Sequence, residues 1–244
     1  TDHPCHPWRT IKTRPLRKEQ DDVAVIRHQQ YQDALKDDCR FLKKFMMIPF
    51  EMKNRKGKTI AKVEGADEGV FPTNAEGLAK LRPVMPDGTV TFGTQTFPAD
   101  GSTSMVVCDE ETAAKLSGGS AIKVRILAFG QARVERGFMP TATVPAARQA
   151  MERAGIKIED IKVIKTHNPF ALNDVYFSRE MGVKVENMNN YGSPLIWGHP
   201  QGPTGVRVIL EVIEELAEKG GGLGLFTGCA AGDSSMATVV RVDT

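Results

Sequence analysis

The apolar positions fall into regular periods from Ile122 onward and are looser before it. Strands are expected over 123–134, 161–165, 223–227 and 236–242, the last with Met236, Thr238, Val240 and Val242 on one side. Helices are expected over 143–154, stopping at Gly155, and over 168–181, stopping at Gly182. The clearest helix is 206–219. Ile209, Val212, Ile213 and Leu216 line one face, and Glu211, Glu214 and Glu215 are expected opposite them. Residues 183–187 read as short and extended. Strand–helix alternation closed by two neighbouring strands argues a layered α/β unit.

Upstream, residues 20–45 read as helix, without Gly or Pro, on apolar Val25, Ile26, Leu35, Phe41, Leu42 and Phe45; the irregular spacing leaves room for two helices. Residues 1–20, broken by Pro4, Pro7 and Pro15, suggest an extended arm. A strand is expected over 47–50, a basic turn over 53–58 and a helix over 74–80 capped by Asn74. A turn at 86–88 leads into a strand over 89–92. A small-residue loop spans 93–101, a buried strand 104–108 and a helix 110–116. The basic turn is read as a solvated hairpin, with a clamp for a phosphorylated ligand as the alternative.

At 244 residues, 41% apolar and 25% charged, the chain suits one large domain or two small ones. A net charge of +2 gives no argument for nucleic acid as a partner. No apolar run approaches the ~20 residues of a membrane helix, and residues 1–22 hold no signal-type apolar segment. Cys5, Cys39, Cys108 and Cys229 are far apart and read as reduced thiols of a cytoplasmic protein. His3, Cys5 and His6 could hold a metal, but no second ligand group follows, so no metal is expected. Beginning at Thr1 without Met, the chain is expected to be trimmed, processed or a fragment.

Candidate chemistry gathers at three loops just past strands, where α/β sheets place their sites. Gly198-His199-Pro200 precedes the long helix; Gly198 permits close backbone approach and Pro200 fixes φ beyond the histidine. His167 opens His167-Asn168-Pro169-Phe170. Cys229 lies in Gly228-Cys229-Ala230-Ala231-Gly232. Two imidazoles and a thiol can do nucleophilic or acid–base work, and the glycines and alanines leave N–H groups for an oxyanion. Each has a bland alternative: a surface histidine, a strand-end histidine bonded to backbone, a small buried cysteine. The glycines of 220–232 lack the Gly-Lys-Ser/Thr ending of a phosphate loop.

With those motifs in place, the chain resembles the thiolase family from about Gln20 to its end. The resemblance is carried by Gln20-Asp21-Asp22 through Gln29-Gln30, Leu78-Ala79-Lys80-Leu81-Arg82-Pro83, Gly88 to Thr91, Ala99-Asp100-Gly101, and Asn187-x-Asn189 with Gly192 and Gly198-His199-Pro200. It implies a thiolase-like layered α/β fold: a C-terminal βαβαβαββ half at 119–244 and an arm plus inserted loop domain at 1–92. Residues 93–118 would complete the sheet of an N-terminal half that is absent from this chain. It further implies that His199 activates a nucleophilic thiolate and donates to the thioester oxygen. Cys229 would move the α-carbon proton, and the N–H near Ala231 would help form the oxyanion hole. His167 stands where many members carry an Asn that holds a catalytic water; a His there resembles the sterol-carrier type of thiolase. Thr96 stands where a pantetheine-contacting Ser is common. Coenzyme A would be a substrate, with no permanently bound cofactor.

None of Cys5, Cys39 and Cys108 lies in the family's nucleophile motif. The resemblance therefore implies a companion chain carrying the acyl-accepting cysteine, separately encoded or cleaved from one polypeptide, with further oligomerisation. The alternatives are a non-catalytic acyl-coenzyme A-binding or scaffold subunit, and a ketoacyl-synthase-type enzyme, which would use two histidines with no Cys at the position of Cys229.

Overall fold

The structure, a computed structural model, describes residues 16–244. The proline-broken stretch through Pro15 and the His3, Cys5 and His6 group lie outside the described residues. Arg17 to Gln20, expected in the arm, is instead the first turn of helix α1 (Arg17–Ala34). The helix buries Gln20, Val23, Ala24, Arg27, Tyr31 and Ala34. That stripe has helical spacing but two polar members, so counting apolar residues selects Val25 and Ile26, which are only half-buried.

The helix gives way to α2 (Lys36–Cys39), a left-handed turn with φ of 52°, 58° and 57° at Asp37, Asp38 and Cys39, then a 3₁₀ turn, Leu42–Lys44. Strands β1 (Phe50–Lys53) and β2 (Thr59–Val63) form an exposed antiparallel hairpin around the basic turn. Helix α3 (Ala75–Ala79) is capped as expected: the Asn74 side chain accepts from the Gly77 N–H at 2.8 Å. Helix α4 (Glu110–Leu116) also falls where the pattern puts it.

The strand expected over 47–50 starts only at Phe50, as β1, and two other expected strands do not form. At 89–92 the backbone closes a turn instead, in which the Thr91 N–H donates to Thr94 Oγ1 at 2.9 Å and the Thr94 N–H to the Thr91 carbonyl at 3.0 Å. At 104–108 no strand lies alongside to pair with. Val106 and Val107 are exposed, and of this run Met105 alone packs on a core.

The second region contributes β3 (Lys123–Arg133), α5 (Thr143–Ala154), β4 (Ile161–His167), α6 (Ala171–Met181), α7 (Pro194–Trp197), α8 (Thr204–Glu218), β5 (Gly222–Ala230) and β6 (Ser234–Asp243). Its sheet runs β3-β6-β5-β4; β4 and β5 are parallel and the other pairs antiparallel. The expected βαβαβαββ order is corrected to βαβαααββ, because the stretch 183–187 folds into a 3₁₀ turn, Val185–Asn187. Its N–H groups find local carbonyls, Asn187 to Lys184 and Met188 to Val185, and only the single bridge Ile164–Met188 touches the sheet.

The register sorts the two faces. Ile164, Leu225 and Val239 lie abreast in the core under α5, while Val163, Val240 and Val242 point the other way, under α8. Between them Gly224 gives α8 its seat: a Cβ there would lie 2.3 Å from Val212 Cγ1. Val212 and Leu216 are fully buried, each contributing about 1.5–3 kcal/mol.

The acidic side of α8 is not solvated as expected. Glu211 and Glu215 are buried because fully buried Lys165 on β4 lies 3.4 and 3.5 Å from them. Arg207 adds a contact to Glu211 at 3.2 Å and forks onto Asp67 at 2.5 and 2.9 Å. Arg207 also lies 3.7 Å from the Trp197 ring centroid. The first region docks here: Val23, Tyr31, Phe41 and Leu78 share a core with Trp197 and Val208.

Candidate active site

The end of β4 is held by Asp174, one turn into α6. Its carboxylate accepts from Arg27 Nε at 2.9 Å, Thr166 Oγ1 at 2.5 Å, Asn168 Nδ2 at 2.6 Å and Asn189 Nδ2 at 3.3 Å. Asn189, the second asparagine of the Asn187-x-Asn189 motif, also accepts from the Thr166 N–H at 2.8 Å. Arg27 carries this ion pair to α1 with both side chains fully buried, and its Nη1 donates to the Val185 and Met188 carbonyls. Thr166 and Asn168 are thereby fixed on either side of His167.

An extended segment at 94–98 then ties the loops together. Thr96 N–H donates to the Pro169 carbonyl at 2.8 Å, Ala171 N–H to Thr94 at 2.9 Å, and His199 N–H to Phe97 at 2.9 Å. Gly198 makes the last contact possible. Its φ is 94°, and a Cβ would lie 2.8 Å from Ala99 Cβ and 3.0 Å from the Phe97 ring.

The three sequence-predicted residues meet. The His167 and His199 rings lie 4.4 Å apart, centroid to centroid, tilted by 40°. His167 Nδ1 is 3.1 Å from the Cys229 carbonyl oxygen. A carbonyl only accepts, so Nδ1 carries the proton and Nε2 presents a lone pair. That Nε2 is buried with no hydrogen-bond partner. His199 Nδ1 is held by Thr204 Oγ1 at 2.9 Å. Cys229 is 6% exposed, and its Sγ receives Asn173 Nδ2 at 3.4 Å.

Burial sets the electrostatics. It pushes His167 down to about 4, with the neighbouring His199 adding to the effect. It lowers His199 as well. It pushes the Cys229 thiol up to about 12, against the hydrogen bond from Asn173. At neutral pH the group is two neutral imidazoles and a thiol, a set able to accept and return protons.

The other expected positions differ. Ala231 is exposed in the turn between β5 and β6. Thr96 spends its hydroxyl hydrogen on the Pro194 carbonyl at 2.6 Å, so its oxygen is left only to accept. Asn173, Asn168, Asp174 and Thr204 were not anticipated. The legible hint was a polar cluster, Asn168, Asn173 and Asp174, inside an otherwise buried helix start.

The family description "Thiolase, C-terminal domain" matches residues 120–242, and "Thiolase, N-terminal domain" matches 12–111. The chain belongs to the thiolase family. An acetyl-CoA acetyltransferase of Allochromatium vinosum is 34% identical over 228 residues, covering 92% of this chain and 56% of that protein. A beta-ketoadipyl-CoA thiolase of Pseudomonas knackmussii is 33% identical, covering 80% and 48%. The crystal structure of human mitochondrial 3-ketoacyl-CoA thiolase in complex with CoA aligns with a TM-score of 0.80 at 26% identity, over 95% of this chain and 56% of that one. The chain thus spans about half the length of the thiolases it matches.

The match at 12–111 overturns the expectation that the family's N-terminal half is absent. The misreading has a physical source. That stretch is specified by caps, turns and buried polar side chains, such as Asn74, the Thr91–Thr94 turn and Arg27, rather than by apolar periods. Cys39 and Cys108 lie within it: Cys39 packs at the edge of the first core and Cys108 is exposed.

Proposed function

We propose that this chain supplies the acid–base residues of a thiolase reaction, the Claisen condensation of acyl-coenzyme A thioesters or its thiolytic reverse. His199 takes the proton of an attacking thiol and later donates to the thioester oxygen. Cys229 first gives its S–H proton to the departing coenzyme A thiolate, and the thiolate so formed removes the α-carbon proton of the acetyl group in condensation; in cleavage both transfers run in reverse. The neutral His167, fixed as an acceptor at Nε2, orients a water or substrate proton beside His199. The N–H near Ala231 assists at the developing oxyanion, and the Thr96 oxygen accepts from a pantetheine amide. Coenzyme A enters and leaves as substrate.

One observation carries this reading: three residues 32 and 30 positions apart in the chain, His167, His199 and Cys229, form one cluster with an open, buried nitrogen. Replacing Cys229 with Ala is expected to slow acetoacetyl-coenzyme A cleavage by the assembled enzyme ~10²-fold or more. Unchanged turnover would instead support a non-catalytic acyl-coenzyme A-binding subunit, the reading favoured by how strongly burial opposes ionisation of that thiol.

The acyl-accepting sulfur, in this proposal, belongs to a companion chain. Support comes from the sulfur count: among the described residues the free cysteines are Cys39, Cys108 and Cys229, and of these Cys229 alone is hydrogen-bonded to His167, through its backbone carbonyl. Intact-mass analysis of the native complex tests it, and a single chain of this sequence with full activity refutes it. A reducing, cytoplasmic setting suits three free thiols. No helix among the described residues is long and apolar enough to cross a membrane.

A further inference from the structure

Among the described residues, Asn173 is the one side chain that donates to the Cys229 sulfur. It is 2% exposed, and its Oδ1 has no hydrogen-bond partner. An open buried acceptor costs about 1–3 kcal/mol, and the start of α6 does not require it, since Asn173 satisfies its own N–H on the Phe170 carbonyl. The sulfur beside it has two states with opposite demands: a thiol donates through S–H, while a thiolate only accepts. A carboxamide meets both by turning about its last bond. Its N–H₂ faces the thiolate in one orientation and its carbonyl oxygen faces the thiol in the other.

We propose that Asn173 is a positioning residue for proton transfer at Cys229, holding the thiolate through Nδ2–H and the thiol through Oδ1. This rests on the reading of Cys229 as the group that moves the α-carbon proton. The balance is simple. The proton passes between carbon and sulfur, Asn173 neither gains nor loses one, and only the direction of its hydrogen bond to Sγ reverses.

No other neighbour fills this role. From β4, His167 bonds the Cys229 carbonyl rather than its sulfur, and the His199 ring lies tilted against His167. On β6, Ser235 stands opposite Cys229 and gives its hydroxyl to the Gly228 carbonyl at 2.8 Å. On α6, Asp174 is already bonded to Arg27, Thr166, Asn168 and Asn189. Burial raises the thiol, and the hydrogen bond from Asn173 opposes it.

The test is the pH profile of alkylation at Cys229 by a small neutral reagent in the full chain, read at that residue by peptide mass spectrometry. Asn173→Leu removes both hydrogen bonds at similar volume. It is expected to slow alkylation about tenfold at fixed pH, one pKa unit upward. Asn173→Asp keeps the shape but sets a negative charge beside the sulfur, and is expected to slow it further. Asn173→Gln should restore part of the rate. Profiles that superimpose on the parent overturn the proposal. If Asn173→Leu loses its cooperative unfolding transition, the isosteric Asn173→Asp decides alone. Thiol reactivity is measured without acyl transfer, so this outcome is separable from the effect of Cys229→Ala on turnover.

Discussion

Asp174 and Cys229 are both buried near the start of α6, yet they are treated in opposite ways. Around Asp174 a charge is admitted and then closed off: a guanidinium faces it and three more donors occupy its oxygens. Around Cys229 charge is kept out. His167 and His199 are held down, the thiol is held up, and acceptors stay open on His167 and Asn173. The two designs depend on each other. Thr166 and Asn168, both tied to Asp174, flank His167, so the closed network fixes the frame from which the open one projects. The first cluster leaves one donor open, Arg27 Nη2, and the second leaves two acceptors open, His167 Nε2 and Asn173 Oδ1.

That contrast can be broken from either side. The largest effect is expected from Asp174→Ala, which strands the Arg27 charge in the interior. It should cost about 3–5 kcal/mol of stability, read from the urea midpoint; a loss below about 1 kcal/mol would mean the network is ornamental.

Next comes pH. His167 sits near 4 in the folded chain and near 6.5 when unfolded, so the unfolded chain binds the extra proton in that window. Stability is full above about 6.5 and falls as the pH drops toward 4, by on the order of 2 kcal/mol at pH 5. His167→Asn should flatten that segment of the stability–pH curve, and an equal slope in the variant would show that another group is responsible. The smallest effect is expected from Thr96→Val. It removes the bond to the Pro194 carbonyl at 2.6 Å and should cost about 1 kcal/mol in thermal unfolding. A raised KM for coenzyme A thioesters with unchanged kcat would add the pantetheine contact.

The second region was largely legible because its elements are apolar by period. Helix α5 spans Thr143–Ala154 as its pattern predicts, and β3 and β6 fall within a residue or two of theirs. Failures came where polar side chains determine the structure. Glu211 and Glu215 look solvated until Lys165 is seen between them and the sheet. Residues 89–92 alternate like a strand, but the Thr94 hydroxyl, bonded to both the N–H and the carbonyl of Thr91, bends them into a turn. The site was half legible. His167, His199 and Cys229 stand out as reactive residue types, but the loops expected to carry two of them begin later, since His167 ends β4 and Cys229 lies within β5. Asn173 and Asp174 look like ordinary helix-start residues, and nothing local reports partners as distant in sequence as Arg27 and Cys229.

The segment 94–98 has a mechanical consequence. It is hydrogen-bonded on one side to the loop that carries His167 and on the other to His199 itself. A pull on this one ribbon is therefore felt by both rings together.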